Sequence, residues 1–296
     1  MDALSEILRS SHLNARVFLH SSFCGNWAVD TSGSRQATFH VVARGACWLH
    51  LPGRPEPEAL RAGDLVVFPR DARHVLSNSS TPPGPEVPVN QPAKDNPGGP
   101  SSSLICGYFE FGENRWNPLL NALPDYLVIR NETTSDTGRM DSLINFMIYE
   151  IESAHEGADV VIDRLSDVLF IHVLRNYIQQ HKPDRGFIAA LADKRTSKAL
   201  STFHKHSHEN WTVERLARLA GMSRSAFAEH FHTLTEYTPM QYVTQWRMQR
   251  AHDLLTETDQ STLSIAEQSG YQSEAAFAKV FKKYFGKGPG ATRKGK

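Results

Sequence analysis

The sequence predicts an α+β protein with two domains, an N-terminal antiparallel β-barrel accompanied by helices and a C-terminal domain that is entirely helical. Three observations support this prediction. The chain has 296 residues, about twice the usual length of a single domain. Short β-branched and aromatic runs separated by turn residues fill its first part, whereas apolar residues recur every three or four positions in its last part. A helix-turn-helix pattern occurs twice near the C-terminus.

Charge is distributed unevenly, although the whole chain is neutral with 32 Lys+Arg and 32 Asp+Glu. Residues 201–296 contain 13 basic and 9 acidic side chains, which leaves 19 basic and 23 acidic ones before them. A basic excess suits contact with nucleic acid but is also common on solvated surfaces. No apolar run approaches the roughly 18 residues that span a bilayer, and the start lacks the pattern of a signal peptide. We therefore expect a cytoplasmic protein with no membrane partner.

Strand signals dominate residues 17–78, where runs such as "ATFHVVARGACWLHL" and "DLVVFP" alternate with clusters of Gly, Pro, Ser and Asp. Closely spaced antiparallel strands of this kind form a small barrel or sandwich. Residues 79–103 are rich in Pro and Gly, which predicts a disordered loop. A strand resumes at "LICGYFEF", so the loop interrupts the barrel and does not end it.

The hydrophobic period becomes helical between about residues 136 and 180. One side of the second helix in this region is unusually apolar, and two interpretations stay open: a stripe that packs into the core, or a face that forms a homodimer. The stripe consists of Val161, Leu165, Val168, Leu169, His172, Val173 and Tyr177. Everything after "KPDRG" is helical, which predicts a first domain over residues 1–184 and a second over residues 185–296.

A repeated unit occurs twice in the second domain, about 50 residues apart. Each copy has an apolar helix, a glycine, a serine soon after it, and two phenylalanines four residues apart. These residues are Gly221, Ser223, Phe227 and Phe231 in the first copy and Gly270, Ser273, Phe277 and Phe281 in the second. We expect each glycine to end a helix in a left-handed conformation and each serine to cap the next helix. Two helices joined in this way form a helix-turn-helix, whose second helix can enter the DNA major groove.

The residues that join the two copies extend the pattern over about the last hundred positions. The segments "WTVERLA", "GMSRSAF", "TPMQYVTQWRM" and "IAEQSGYQSEAAFAKVFKKYFGKGP", in this order, resemble the AraC/XylS family of bacterial transcription regulators. The resemblance implies a sequence-specific regulator that binds double-stranded DNA and recruits or blocks RNA polymerase. One departure is Thr292, which stands before Arg293 where the family usually has an aromatic residue.

The same resemblance implies which side chains contact DNA. The residues of the first recognition helix are Arg224, Ser225, Ala228 and Glu229, and those of the second are Gln272, Ser273, Glu274, Ala275, Ala276 and Lys279. Lys282 and Lys283 are expected to neutralise phosphates. Lys279 is the candidate direct reader, because a lysine in the groove matches the O6 and N7 acceptors of guanine. Carboxylates at two groove positions repel phosphate, so part of this surface is expected to disfavour some DNA sequences more than it binds others.

The first domain resembles the cupin barrel that often precedes such DNA-binding domains. The segment "GDLVVFPRDARHVLSN" resembles the second cupin motif, with His74 in place and Asp71 instead of the usual Gly. The first cupin motif is poorly kept and offers only His40. Two histidines are too few for a metal centre, so we expect no metal and no cofactor. The competing hypothesis, a metal-dependent cupin enzyme with an accessory DNA-binding domain, requires three histidines and a carboxylate.

A closer resemblance is to the cupin subgroup found in front of AraC-type domains, which includes a regulator that senses reactive chlorine by cysteine oxidation. Cys106 matches the motif position of one of that regulator's cysteines, and Cys24 is displaced toward the position of the other. The resemblance implies two signals, an oxidant or a small organic effector in the barrel. The oxidant hypothesis predicts that Cys24 and Cys106 form a disulfide across the barrel mouth, for which their Cα atoms must approach within about 7 Å. Cys47 is expected to take no part.

Overall fold

The computed structural model describes residues 3–10, 13–91, 101–111, 116–131, 138–153, 155–181 and 185–294. Contacts between Cα atoms divide the chain into two compact units. The β unit comprises Leu13–Phe111 and Leu120–Gln180, and the helical unit comprises Met1–His12, Gly112–Leu119 and His181–Lys296. The last segment of the helical unit begins at His181, whereas the sequence analysis starts the second domain at residue 185, and this unit also takes in two segments that the sequence analysis placed in the first domain. No helix of the described residues is long and apolar enough to cross a membrane.

The predicted cupin-like β domain is present, but as two antiparallel sheets that share one core and not as a closed barrel. The strands are β1 (Asn14–Cys24), β2 (Ala28–Val29), β3 (Ala37–Arg44), β4 (Ala46–His50), β5 (Glu58–Arg61), β6 (Leu65–Phe68), β7 (Val75–Ser77), β8 (Ser101–Glu110) and β9 (Leu127–Ile129). One sheet has the order β1-β8-β3-β6-β9 and the other β2-β7-β4-β5. Buried side chains from both sheets, including Phe23, Val42, Leu49 and Phe68, meet in one apolar cluster.

Two helices of the β unit, α3 (Gly138–Ser153) and α4 (Ala158–His181), follow the strands. Strand β1 lies at the edge of its sheet, where backbone N–H groups would otherwise lack partners. Carboxylates of α4 supply them: Asp167 accepts from the Ala15 N–H at 2.7 Å, and Asp163 accepts from the Val17 N–H at 3.0 Å. Helix α4 therefore covers the edge of the sheet as well as part of its face.

The long Pro- and Gly-rich segment is more ordered than the sequence predicts. Asn90 donates its backbone N–H to the Ala28 carbonyl at 2.8 Å, and Ala28 donates to the Pro88 carbonyl at 3.0 Å. Residues 101–103 already belong to β8. The prediction of disorder over residues 79–103 is therefore wrong for residues 84–90 and 101–103, because backbone pairing with β2 and β1 compensates for the low apolar content. Residues 92–100 lie outside the described residues.

The structure explains why aspartate can stand at position 71, where the second cupin motif usually has glycine. Asp71 has φ 55°, a left-handed conformation that Asp tolerates better than most non-glycine residues. Its carboxylate also accepts from the backbone N–H groups of Gly33, at 3.1 Å, and Arg35, at 2.5 Å. Aspartate thus keeps the backbone conformation and adds contacts to the loop before β3.

The helical unit contains the two predicted helix-turn-helix copies and the helices around them. These helices are α1 (Ala3–Ser10), α2 (Pro118–Asn121, which begins in this unit), α5 (Phe187–Ala192), α6 (Lys194–Lys205), α7 (Val213–Ala220), α8 (Arg224–Thr235), α9 (Pro239–Glu257), α10 (Thr262–Gln268), α11 (Glu274–Phe285) and α12 (Pro289–Lys294). Helix α9 joins the copies: its Tyr242 is buried beside Phe231 of the first, and its Met248 and Leu255 are buried with Phe281 of the second.

Candidate functional site

The turn of each helix-turn-helix has the same hydrogen-bond pattern. Gly221, at φ 66°, and Gly270, at φ 79°, are left-handed, as the sequence predicts. The following residue in each copy donates back into the preceding helix, Met222 to the Ala217 carbonyl and Tyr271 to the Ala266 carbonyl, both at 2.9 Å. This arrangement satisfies carbonyls that a helix end otherwise leaves unpaired.

Both second helices begin at the predicted serine caps. The Ser223 hydroxyl accepts from the Ala226 N–H at 3.3 Å, and the Ser273 hydroxyl accepts from the Ala276 N–H at 3.2 Å. The phenylalanines four and eight residues after each serine are buried, with at most 1 % of their surface exposed. Burial of that face turns the opposite face of α8 and α11 to solvent.

The predicted DNA-contacting residues lie on these solvent faces. Ala228 is half-buried, and the others are exposed: Arg224, Ser225, Glu229, Gln272, Ser273, Glu274, Ala275, Ala276, Lys279, Lys282 and Lys283. Ser273 is the cap of α11, so its hydroxyl is already engaged. Arg224 pairs with Glu214 at 2.6 Å, an exposed ion pair that costs little to exchange for a phosphate or base. No acidic side chain of the described residues pairs with any of the three lysines.

A polar cluster lies inside the otherwise apolar core of the β unit. His40 Nε2 and His74 Nε2 are 2.9 Å apart, and the Thr31 hydroxyl lies 3.2 Å from each of them. His74 donates from Nδ1 to the Ala72 carbonyl at 2.7 Å, which makes its Nε2 an acceptor. Burial lowers the pKa of both imidazoles, and that of His40 lies well below its usual value. Both rings are therefore neutral at pH 7.

Two polar atoms of this region have no hydrogen-bond partner among the described residues, the Thr38 hydroxyl and His40 Nδ1. Thr38 and His40 are two positions apart along β3, so their side chains point to the same side of the sheet. The structure thus brings the two sensor candidates His40 and His74 together. No group of three or more His, Cys, Asp and Glu side chains in the described part of the chain is arranged to hold a metal ion.

The cysteines are not arranged as the disulfide hypothesis requires. Strand pairing sets Cys24 opposite Ser101, five positions along β8 from Cys106, which is about 17 Å at roughly 3.4 Å per residue. The predicted Cys24–Cys106 disulfide is therefore wrong for this structure, since a disulfide needs Cα atoms within about 7 Å. Burial raises the pKa of the Cys106 thiol, and it raises that of Cys47 to about 12. Cys24 is only half-buried.

Comparison with known proteins identifies both units. Residues 2–179 match the cupin family, and residues 216–295 match a helix-turn-helix domain family. The chain is 31% identical to an HTH-type transcriptional regulator of Haemophilus influenzae, with 99% of each chain covered. It is also 31% identical to an AraC-like transcription regulator of Streptomyces lividans, over 99% of this chain and 98% of that one. The chain belongs to the AraC family of transcription regulators.

The AraC-family assignment covers the cupin domain as well. The RCS-specific transcriptional activator RclR of Escherichia coli is 26% identical over 99% of this chain and 97% of its own length. This relative belongs to the subgroup that the sequence analysis named. The chain is therefore a DNA-binding transcription regulator with a cupin domain in the position of the sensor.

Sequence reasoning missed two parts of the site. Thr31 completes the histidine cluster, but it lies in a turn of ordinary composition and no motif marks it. Trp116 belongs to the helical unit and contacts α9, although it follows β8 in sequence. The one signal in the sequence was a large aromatic side chain within a short polar segment, because such a side chain usually packs against other residues.

Proposed function

We propose that α8 and α11 enter successive major grooves of an operator, with the exposed residues of both helices as the contact surface. The equivalence of the two copies supports this proposal, because each presents a capped helix whose buried face is fixed by two phenylalanines. Lys279 is assigned to a base edge, as a lysine near the middle of α11. Lys282 and Lys283, in the last turn, are assigned to phosphates.

We expect Lys279→Ala and Lys282→Ala to act differently on DNA binding. Lys279→Ala should cost roughly 1–3 kcal/mol on the preferred operator and relax the preference at one base pair. Lys282→Ala should weaken all sequences alike and flatten the slope of log affinity against log salt by about one unit. Each variant serves as the control for the other, since both remove one exposed lysine from α11. Selection from a randomised duplex library and salt titrations measure the two effects.

Two results would contradict these assignments. An unchanged base preference in Lys279→Ala would show that this lysine reads no base. An unchanged salt slope in Lys282→Ala would place that side chain off the DNA.

The homodimer assigned to the β unit rests on the exposed side of α4. The apolar stripe is divided: Leu169 and Val173 are fully buried, whereas Val161 and Val168 are 36% and 41% exposed. Val161, half-buried Leu165 and Val168 are spaced by four and three residues, which places them on one face. This spacing is that of a helix packing against a partner helix. The buried members of the stripe pack in the core, and the exposed members support the proposed homodimer face.

Val168→Asp is expected to shift the protein from dimer to monomer, because a carboxylate buried in a helix interface costs several kcal/mol. Val160→Asp is the matched control: Val160 is 63% exposed but lies about 100° around α4 from Val161. Light scattering after gel filtration gives the mass of each variant. A monomeric parent protein at tens of micromolar, or a Val168→Asp variant that remains dimeric, would contradict the assignment.

The signal is assigned to the cupin domain, with the cluster of Thr31, His40 and His74 as the place where a small effector binds. The Thr38 hydroxyl and His40 Nδ1 support this assignment, because both are buried and have no hydrogen-bond partner among the described residues. A buried polar atom in this state favours a ligand that supplies a hydrogen bond. The enzyme alternative has less support, since the described residues of the cupin domain do not bring together the three histidines and carboxylate that it needs. RNA polymerase is the protein partner that regulation of transcription requires.

A further inference from the structure

Trp116 makes several specific contacts with the joint between α8 and α9. Its backbone N–H donates to the Gln249 side-chain oxygen at 3.3 Å, and its indole N–H donates to the Tyr237 hydroxyl at 3.1 Å. Its ring meets those of Tyr237 and Tyr242 edge-on, with centroids 5.7 and 5.4 Å away. Edge-to-face pairs of this geometry add to the stabilisation that burial provides.

The contacted residues determine how α8 leads into α9. Glu236 ends α8 in a left-handed conformation at φ 64°, and the Thr238 side chain caps α9. Tyr237 lies between these two caps, and Tyr242 is buried one turn into α9 beside Phe231 of α8. Two hydrogen bonds and two ring contacts from Trp116 therefore tie Tyr237, in the joint, to Tyr242 and Gln249 of α9, and Tyr242 in turn packs on Phe231 of α8. Because α9 continues into the second copy, a change of angle at this joint moves α11 relative to α8.

The second copy is also held to α9, near the middle of that helix. Arg247 of α9 donates to the Ser207 carbonyl at 2.7 Å, and its guanidinium lies against Gly270, where an added Cβ would come within 2.8 Å of it. The α9–α10–α11 packing thus leaves little freedom next to the second turn. The short joint at residues 236–238, where a non-glycine residue adopts a positive φ, is where Trp116 adds its contacts.

We propose that Trp116 is a positioning residue that braces the joint between α8 and α9 and thereby fixes the spacing at which the two recognition helices meet DNA. The inference rests on the proposed function of α8 and α11 and assigns a role to a residue outside both helices.

The test compares two operators and uses the full-length protein. The first is the duplex selected by the parent protein, and the second has one base pair inserted between the segments that α8 and α11 protect. The insertion moves the second segment by about 3.4 Å and rotates it by about 35°. We expect the parent protein to lose about 30-fold or more in affinity on the insertion. This loss tests the proposed function itself, because a protein that reads DNA with only one helix is insensitive to the insertion.

Trp116→Ala is expected to bind the selected operator about 5- to 10-fold more weakly and to lose only about 5-fold on the insertion, because a loosened joint adapts to either spacing. Trp48→Ala, in β4, is the matched control and should keep the parent ratio between the two operators. A merely structural role predicts equal losses on both operators, and an unchanged ratio in Trp116→Ala would overturn the proposal.

A second pair of variants keeps the proposal testable if Trp116→Ala does not fold. Trp116→Phe removes the indole N–H, and Tyr237→Phe removes its acceptor, while both keep an aromatic ring. Each should reduce the ratio of affinities for the selected and the inserted operator by about twofold. The double variant should reduce this ratio no further than either single variant, because both remove the same hydrogen bond. Additive effects, or no change in this ratio, would overturn the proposed brace.

Discussion

Replacing Phe281 with alanine is expected to lower the free energy of unfolding by about 3–5 kcal/mol, the usual cost of deleting a fully buried aromatic ring. None of the Phe281 side chain is exposed. Its ring lies 5.5 Å from that of Phe277 and 4.7 Å from that of Phe285, in a cluster with Met248 and Leu255 of α9. The same substitution should detach α11 from α9 and leave DNA contacts to α8. Urea unfolding and operator binding measure the two effects.

Two variants in α11 separate loss of packing from loss of an aromatic side chain. Tyr284→Ala removes a ring that is 37% exposed and should cost less than about 1 kcal/mol. Phe281→Leu keeps most of the buried volume and should cost less than about 1.5 kcal/mol. If Phe281→Ala were no more destabilising than Tyr284→Ala, the packing of α11 against α9 described above would be contradicted.

The helix-turn-helix copies could be predicted from sequence because their determinants are local. Gly221 and Ser223 lie within three residues of each other, and the phenylalanine spacing follows directly from the helical repeat. The same pattern recurs at Gly270. The DNA-contacting positions of α8 and α11 were implied by the resemblance to the AraC/XylS family, and they lie on the solvent faces opposite these phenylalanines.

The relation of Cys24 to Cys106 could not be predicted in this way. Both cysteines lie on strands, but which residues face each other depends on pairing between segments about 80 positions apart. An irregularity between Val17 and Leu19 shifts the register of β1 by one residue, and no sequence pattern marks it. Similarly, no local signal shows that Trp116 packs on α9, because its partners lie more than 120 positions later.

Thiol reactivity at pH 7 should be about three thousandfold lower for Cys47 than for a cysteine of ordinary pKa. A pKa of about 12 for Cys47 leaves about one thiolate in 10⁵ at pH 7, compared with about 3% for a cysteine of ordinary pKa near 8.5. Burial acts in the same direction on Cys106. Cys24 lies at the end of β1 and is only half-buried, so reagents can approach it. Treating the folded protein with iodoacetamide should therefore modify Cys24 alone.

Peptide mass spectrometry at pH 7, with and without urea, measures this prediction. In urea all three cysteines should react, whereas the folded Cys24→Ser variant should take up almost no label and serves as the control. Rapid labelling of Cys106 in the folded protein would contradict the packed β unit and show that β8 opens. Oxidants attack the thiolate, as alkylating reagents do, so the same order of reactivity applies to them. An oxidant signal in this structure would have to begin at Cys24, without Cys106 as its partner, and Cys24→Ser should then abolish an oxidant response that Cys47→Ser leaves intact.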